Sequence, residues 1–247
     1  MFGEGKQRRR QVMAVVVAGL VGACGGGSGD GGEQDGKGSA ASGRSTAVPA
    51  ALTEAQLKAA AFVDGETVGE YTASEYTLGA PHGDDYTADP AVCQPLVSLA
   101  ADVTAYRLKA EVSREAEIPD KMLGPTVAVQ LRSYAGGDAA RVMKAVGKAG
   151  KECADGFTEE RAVAEGEYLK VEPVQAPAFG DEARAYRFTI LDVLGKAKLH
   201  EYLTVVRAGS ATLSFRGEIA ADKDIGEVPR EILDAQWEKF ETAAGGR

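Results

Sequence analysis

Three strand-like segments follow one another in the last third of the chain, and they constrain its fold more than any other feature of the sequence. The segments, residues 183–191, 197–207 and 210–217, are rich in valine, threonine, tyrosine and phenylalanine. Leu194-Gly195 and Ala208-Gly209 lie between them, and short connections with glycine are typical of antiparallel neighbours. This order predicts an antiparallel meander.

Further strand-like segments precede the meander. In residues 125–134, aliphatic side chains alternate with small or polar ones, which is the pattern of a strand with one buried face. Composition and alternation predict other strands at residues 67–76 and 106–114, and a hairpin of residues 161–164 and 167–173 around Glu165-Gly166.

Helices are predicted between and after these strands. The segments are residues 52–58, a stretch from Asp89-Pro90 to about Val103, residues 139–154, and Pro229–Ala244. In most of them apolar residues recur every three or four positions, as in helices that bury one face. Thr53 and Gln56 have the spacing of a capping box, and Asp89 and Asp138 are predicted N-caps.

This succession of elements predicts an α+β fold, with a single antiparallel β-sheet, helices packed against it and one disulfide. The composition, 44% hydrophobic and 26% charged, is ordinary for a globular protein. We expect one folded domain over residues 49–247, because about 200 residues suit a single domain.

The first 23 residues are expected to lie outside this domain. Residues 1–10 carry four basic side chains and one acidic one, and residues 12–23 are uncharged and mostly apolar. A basic start, a short apolar run and small residues are typical of a signal peptide, and about 20 residues are needed to span a membrane. The arginines also loosely resemble a twin-arginine signal, so the export route stays open.

The signal-like segment ends in Val21-Gly22-Ala23-Cys24, which resembles the bacterial lipobox. In that family the cysteine thiol is alkylated with diacylglycerol and the chain is cut directly before it. The resemblance implies that residues 1–23 are removed and that lipid on Cys24 anchors the protein to a membrane, where two acyl chains hold stably. The alternative is an ordinary signal peptide followed by a chance cysteine.

Residues 24–48 follow the predicted cleavage site and are dominated by glycine, serine and polar side chains. Such a segment buries too little apolar surface to offset the entropy of ordering it. We therefore predict a flexible Gly/Ser-rich tether with a mean reach of about 25–30 Å.

Removal of the signal peptide would make the chain more acidic. It would take four basic residues and one acidic one from the 28 Lys+Arg and 37 Asp+Glu, which leaves 24 and 36 and a net charge of −12. An acidic surface repels nucleic acid and anionic lipid head groups. We expect no nucleic-acid partner, and attachment to the outer face of the cell membrane through lipid rather than through a basic surface.

Cys93 and Cys153 remain as a pair once Cys24 is assigned to the lipid. In the oxidising compartment outside the cytoplasm, an even pair of cysteines predicts a disulfide. It would close a loop of about 61 residues and stabilise the domain by roughly 4 kcal/mol. The alternative is two buried thiols; two cysteines and two distant histidines lack the spacing of a metal site.

Several short segments resemble the extracellular sensor domain of actinobacterial PknH-type serine/threonine kinases and the stand-alone lipoproteins that share it. They are Ala91–Leu96, Leu131–Tyr134, Ala139-Ala140 with Lys151–Cys153, Phe179–Ala183, Val228-Pro229, and Ala235, Gln236 and Lys239. The resemblance spans roughly residues 50–245 and implies a central antiparallel sheet, flanking helices and a cleft for an unidentified ligand.

This chain also departs from that family. The kinase-borne domain has two disulfides, whereas only Cys93–Cys153 can form here. No kinase segment accompanies the domain, so any signal would have to pass through another protein. The family supplies no settled binding residues that could be assigned to this sequence.

No arrangement of side chains indicates catalysis. His82 lies in a Gly/Asp loop and His200 in a strand, where we expect a surface or edge position, and neither has the neighbours of a Ser-His-Asp triad. Asp84, Asp85 and Asp89 could bind calcium weakly, but the EF-hand spacing is absent and a solvated acidic loop is the simpler interpretation. We expect no metal and no cofactor.

Two kinds of side chain could contact a ligand. Arg132 and Arg161 could bind an anion in a cleft, although a solvated strand face explains them more simply. Tyrosines suit stacking on carbohydrate or peptide and are equally expected in strands. The tyrosines in question are Tyr71, Tyr76, Tyr86, Tyr106 and Tyr134.

The preferred hypothesis is a membrane-anchored envelope lipoprotein whose extracytoplasmic domain binds a ligand or senses one without catalysis. Its partner would be an unknown small molecule or envelope protein. A hydrolase is the first alternative, and it would need two close carboxylates in a pocket. An accessory subunit of an envelope complex is the second, and it would need an exposed apolar patch.

Overall fold

The structure, a computed structural model, describes residues 49–76, 86–98, 106–121, 124–161, 164–192, 194–219 and 224–244. These ranges contain one antiparallel sheet of ten strands, with helices packed on both of its faces. The predicted α+β class, with a single antiparallel sheet and one disulfide, is confirmed.

The strands of the sheet are β1 Thr67–Val68, β2 Tyr71–Glu75, β3 Thr87–Asp89, β4 Leu108–Glu117, β5 Pro125–Tyr134, β6 Phe157–Arg161, β7 Ala164–Val174, β8 Glu182–Leu191, β9 Lys198–Ala208 and β10 Ala211–Ile219. Their order in space is β1-β2-β4-β5-β10-β9-β8-β7-β6-β3. The predicted meander is confirmed and is longer than expected, because it runs from β6 to β10. Antiparallel pairing of β5 with β10 joins it to the rest of the sheet.

The helices are α1 Glu54–Ala60, α2 Gln94–Ser98 preceded by the 3₁₀ turn Ala91–Cys93, α3 Asp138–Glu152 and α4 Arg230–Ala244. The predicted capping box at the start of α1 is present. The backbone N–H of Gln56 donates to Thr53 Oγ1 at 3.3 Å, and the backbone N–H of Thr53 donates to Gln56 Oε1 at 2.8 Å. These bonds satisfy N–H groups that the first turn of a helix leaves unpaired.

Alternation along the strands divides the core into two parts. On one side of the sheet, here called the first face, α1 and α4 cover buried side chains that include Leu131 and Phe215. On the second face, α2 and α3 cover another apolar group that includes Phe188 and Leu203. Full burial of one such side chain stabilises the fold by about 1.5–3 kcal/mol.

The disulfide lies on the second face. Cys93 and Cys153 are bonded, with their Cα atoms 5.9 Å apart, and both side chains are buried. The bond connects the 3₁₀ turn to the residue that follows α3. The pairing predicted from the sequence is therefore confirmed.

The hairpin predicted around Glu165-Gly166 is wrong in register. Both residues lie inside β7, where Glu165 pairs with Glu160 and Gly166 pairs with Glu159 of β6. Arg161 instead pairs with Ala164, so the two strands are connected before Glu165. Glycine is a common turn residue, but it also occurs inside strands, as Gly166 does here.

Two predicted helix caps are also wrong. Asp89 belongs to β3, and Pro90 takes the N-cap position of the 3₁₀ turn without a side-chain hydrogen bond. Gly137, with a φ of 81°, is the N-cap of α3, so Asp138 is the first residue of the helix rather than its cap. A left-handed backbone favours glycine at that position.

Asp138 is buried at the start of α3 and neutralised by two arginines. Its Oδ2 accepts from the backbone N–H and the Nε of Arg107 at 2.8 and 3.0 Å, and its Oδ1 accepts from Arg141 Nη1 at 2.8 Å. The side-chain and backbone hydrogen bonds from Arg107 lower the pKa of Asp138 to about 2, and Arg141 adds to this effect.

Substitution Asp138→Asn should make the free energy of unfolding depend less on pH in the acid range. A carboxyl whose pKa is lower in the folded chain stabilises it above the unfolded pKa, and this contribution is lost as the pH falls through the folded value. The free energy of unfolding of wild type should thus exceed that of Asp138→Asn at neutral pH, and the difference should shrink from about pH 4 to pH 2. Urea unfolding at stepped pH measures this.

Asp234→Asn is the matched control for that measurement. Asp234 pairs with Arg230 at 2.8 Å on α4, but both side chains are about half exposed. Exposed pairs contribute little. A difference for Asp138→Asn that does not vary with pH would contradict the prediction.

Two glutamines within the segments that carry the family resemblance satisfy backbone groups. Gln94 Oε1 accepts from Ala88 N, and its Nε2 donates to the carbonyl of Tyr86. Gln236 is fully buried; its Oε1 accepts from Phe62 N at 3.1 Å and its Nε2 donates to the carbonyl of Ala60 at 2.6 Å. The fold therefore explains both residues without a ligand.

Candidate functional site

Polar side chains are buried at the centre of the sheet, on the second face. They are Gln130 and Arg132 of β5 and Thr212, Ser214 and Arg216 of β10, here called the polar cluster. The register places Gln130 beside Ser214 and Arg132 beside Thr212. Because buried polar groups need hydrogen-bond partners, this cluster requires an explanation that apolar packing does not supply.

Arg216 is bound on several sides. Its Nη1 donates to Glu201 Oε2 at 2.8 Å and to Tyr168 Oη at 3.3 Å, and its Nη2 donates to the carbonyl of Leu96 at 2.5 Å. Its guanidinium also lies over the Phe188 ring, 5.6 Å from the centroid. Burial acts to lower the pKa of Arg216, but Tyr168 and the surrounding glutamates outweigh it, so the pKa is raised and the charge is fixed.

Tyr168 links two carboxylates next to Arg216. Its hydroxyl lies 2.9 Å from Glu159 Oε2 and 3.1 Å from Glu201 Oε2. The Tyr168 ring stacks on Phe157 at a centroid distance of 4.3 Å and meets Phe188 edge-on at 5.5 Å. This packing holds the hydroxyl in place between the two glutamates.

Arg132 is paired rather than solvated. Its Nε donates to Glu111 Oε2 at 2.6 Å and its Nη1 to the carbonyl of Ser98 at 2.9 Å, and the side chain is 3% exposed. The interpretation as a solvated strand face is wrong. The last turn of α2 thus offers carbonyls to both arginines of the cluster, through Ser98 and Leu96, where a helix terminus has unpaired acceptors.

Gln130 is the residue of the polar cluster whose side chain has two unsatisfied atoms. It is fully buried, and within the part of the chain that the structure describes neither its Oε1 nor its Nε2 has a hydrogen-bond partner. The Nε of Arg216 and the Oγ1 of Thr212 are in the same condition. A buried amide with no partner costs about 1–3 kcal/mol, so apolar packing alone does not explain Gln130.

The edge of the cluster towards β4 and the end of β10 is acidic. Burial, together with the neighbouring carboxylates of Glu117 and Glu218, raises the pKa of Glu115. Burial also raises the pKa of Tyr134, the last residue of β5, against the opposing effect of Arg132. The surroundings of Gln130 therefore contain paired charges, hydroxyls and carboxylates.

The other predicted candidates do not join this cluster. His200 lies on β9 opposite Thr189 and is half-buried, and Asp89 is exposed on β3. Tyr71 is buried on the first face, and Tyr86 and Tyr106 are half-buried against the apolar group of the second face. Tyr76 is half-buried directly after β2. Cys24, His82, Asp84, Asp85 and the side chain of Arg161 lie outside the described residues, as do residues 1–48.

Sequence reasoning missed Arg216, Glu201, Tyr168 and Glu159. Thr212, Ser214 and Arg216 alternate with Leu213 and Phe215, which is also the pattern of a strand with one solvated face. Alternation identifies which residues share a face, and it does not reveal that α2 covers the polar one.

Other kinds of site find no support in the described ranges. No group of three or more histidine, cysteine, aspartate or glutamate side chains there is arranged to hold a metal ion. No helix in the same ranges has both the length and the apolar character needed to cross a membrane.

The fold and the cluster together define a single-sheet α+β domain with a charge-compensated polar centre. No family model matches the chain, and no curated protein matches it. Among solved structures, the extracellular domain of PknH from Mycobacterium tuberculosis is similar, with a TM-score of 0.51 and 12% sequence identity, over 79% of this chain and 98% of that one.

A second solved structure also resembles the chain. It is an uncharacterized protein of Mycobacterium smegmatis, the Rv0999 ortholog, with a TM-score of 0.41 and 17% identity, over 81% of this chain and 98% of that one. At these identities similarity concerns the fold alone. The expected likeness to the PknH-type extracellular domain is confirmed at that level by the first structure.

Proposed function

We propose that this chain is a cell-envelope lipoprotein whose domain, residues 49–247, binds a ligand or acts as a sensor without catalysis. Lipid on Cys24 would hold it on the outer face of the cell membrane, with residues 24–48 as the tether. The signal-like start and the lipobox resemblance support the anchor. The fold shared with an extracellular domain is compatible with this location.

The unpaired amide of Gln130 is the observation that carries the binding proposal. Arg132 and Arg216 are already paired with Glu111 and Glu201, so the cluster offers hydrogen bonds rather than an uncompensated charge. A ligand with hydroxyl or amide groups suits it best. Such a ligand would recover the cost of burying the amide without breaking an ion pair.

The hydrolase alternative is less well supported. Glu159 and Glu201 are the closest carboxylates of the site, and the Tyr168 hydroxyl binds both, while Arg216 binds Glu201. A proton donor or nucleophile must instead be free to reach a substrate. We therefore assign these two residues to the support of Arg216.

The accessory-subunit alternative lacks an obvious docking surface. Val63, Leu108 and Leu194 are the large apolar side chains that are exposed in the described ranges. Leu108 lies on β4, and the other two lie in the connections after α1 and after β8. Single exposed apolar residues are normal in monomeric proteins.

Substitution Gln130→Met tests the binding proposal against a structural role. In the ligand-free protein it should leave the free energy of unfolding unchanged or raise it, because an apolar side chain of similar size replaces an unpaired amide. Gln236→Met, at the other fully buried glutamine, should lower it by about 1–3 kcal/mol, because Phe62 N and the Ala60 carbonyl lose their partners. Denaturant unfolding measures both.

Mass spectrometry of the protein purified from its native membrane completes the test. Wild type and Gln236→Met should carry a small polar molecule, and Gln130→Met should have lost it. No bound molecule on wild type, or the same amount on Gln130→Met, would contradict the binding proposal. An unmodified Cys24 or an intact N-terminus in the same spectra would contradict the anchor.

A further inference from the structure

A separate cavity lies on the first face, away from the polar cluster. It has a volume of about 630 Å³ and lies between residues 49–52, the turn from β9 to β10 and the second half of α4. Pockets of about 300–1,000 Å³ are the size that takes small ligands. Nothing in the binding proposal for the polar cluster uses this cavity.

The wall on the side of α4 is aromatic and rigid. Trp237 and Phe240 line the cavity together with Leu52. The Trp237 ring stacks on Phe179 at a centroid distance of 5.3 Å and lies 5.9 Å from Phe240. Because these rings hold each other, the cavity is already formed without a ligand, and its walls offer apolar contact.

Two polar groups of the wall are already in use. Ser210 Oγ donates to the carbonyl of Ala50 at 2.8 Å, and the Gly209 N–H donates to Asp181 Oδ2 at 2.7 Å. Glu241 is the charged residue among the described lining residues. The occupant must therefore be apolar over most of its length, and it must not place a negative charge next to Glu241.

The cavity lies at the start of the described part of the chain. Pro49 and Ala50, the first described residues, form part of its wall, and Leu52 N–H donates to Ser133 Oγ at 2.6 Å. The proposed tether, the 25 residues from Cys24 to Val48, would have a mean reach of about 25–30 Å. The wall of the cavity therefore includes the residues that directly follow this proposed tether in the sequence.

We propose that this cavity takes one acyl chain of a membrane lipid with a zwitterionic head group. The assignment of the source, the bilayer that holds Cys24, rests on the proposed anchor. The acyl chain is long and apolar, which suits these walls, and each methylene that it removes from water favours binding. A positively charged group in the lipid head would be compatible with Glu241.

Trp237 is the single tryptophan of the sequence, so its fluorescence reports this cavity directly. The experiment would use the chain from residue 24 onward with the substitution Cys24→Ser. This protein keeps every residue of the folded domain and carries no lipid of its own. The probe is monomeric lysophosphatidylcholine with bromine on its acyl chain, which quenches tryptophan at contact. We expect saturable quenching, relieved by unbrominated lysophosphatidylcholine but not by glycerophosphocholine.

Ala244→Phe and Ala243→Phe form a matched pair of variants at consecutive positions in the last turn of α4. Ala244 lines the cavity and Ala243 does not, so phenylalanine at 244 fills it and phenylalanine at 243 leaves it open. The probe should bind Ala244→Phe at least about tenfold more weakly than wild type, and Ala243→Phe should match wild type. Absence of quenching in wild type, or equal affinity in Ala244→Phe, would overturn the acyl-chain site.

An experiment with the lipidated protein in phosphatidylcholine vesicles tests the source of the lipid separately from the acyl-chain site. Brominated acyl chains in the bilayer should quench Trp237 in wild type and less in Ala244→Phe, which supports a bilayer source. If the monomeric probe quenches Trp237 but the brominated bilayer does not, the cavity remains an acyl-chain site, and the proposal that its lipid comes from the bilayer is overturned. Because the monomeric experiment does not involve Cys24, failure of the anchor leaves its result intact.

Discussion

Replacement of Arg216 by methionine is expected to lower the free energy of unfolding by about 3–5 kcal/mol. Methionine fills a similar volume but leaves Glu201 and the Leu96 carbonyl, both bound to Arg216, without its donors. Removal of one partner of a buried ion pair has this cost because the other charge stays buried and uncompensated. Denaturant unfolding followed by circular dichroism measures the change.

Two further variants identify the cause of that loss. Arg230→Met removes an exposed arginine that pairs with Asp234 and should change stability by no more than about 1 kcal/mol. The double variant Arg216→Met with Glu201→Gln should lose less than the two single variants together, because it removes both charges. An Arg216→Met protein as stable as Arg230→Met would contradict the role given to the buried pair.

Removal of the disulfide should have a second large effect. The Cys93–Cys153 bond joins two positions that are 60 residues apart in sequence, and closing a loop of this length stabilises the folded state by about 4 kcal/mol. Cys93→Ala with Cys153→Ala should therefore lower the free energy of unfolding by about that amount, because the unfolded chain gains conformational freedom.

A reducing agent supplies the control for the disulfide. Wild type in reductant should unfold at the lower denaturant concentration of the double variant, and the double variant itself should not respond to reductant. If oxidised wild type and the double variant have the same denaturant midpoint of unfolding, the disulfide does little to restrict the conformations of the unfolded chain.

The spacing of apolar residues, every second position in strands and every third or fourth in helices, predicted most of the fold because it is a local property. The meander, β5 and the helix near the end of the chain were expected close to where the structure has them. Strand register was harder: Arg161 of β6 pairs with Ala164, whereas the nearest glycine, Gly166, lies inside β7. Local composition cannot distinguish a glycine that turns the chain from one that lies within a strand.

The candidate site could not be predicted because its contacts are distant in sequence. Arg216 meets Tyr168 at a separation of 48 residues and the Leu96 carbonyl at 120. Arg132 was noticed as a charge in an alternating strand, but its partner Glu111 lies on β4 and the Ser98 carbonyl on α2. Only the sheet order shows that these groups meet under one helix.

The pairing of β5 with β10 also has a consequence for how the chain reaches its native state. β6 to β10 join neighbours along the sequence, so their hairpins can form early, whereas Ser214 and Gln130 meet across 84 residues. Distant pairings form slowly because a long loop must close first. The polar cluster lies on both sides of this junction, so it is completed only when the two parts of the sheet dock, in a late step of folding.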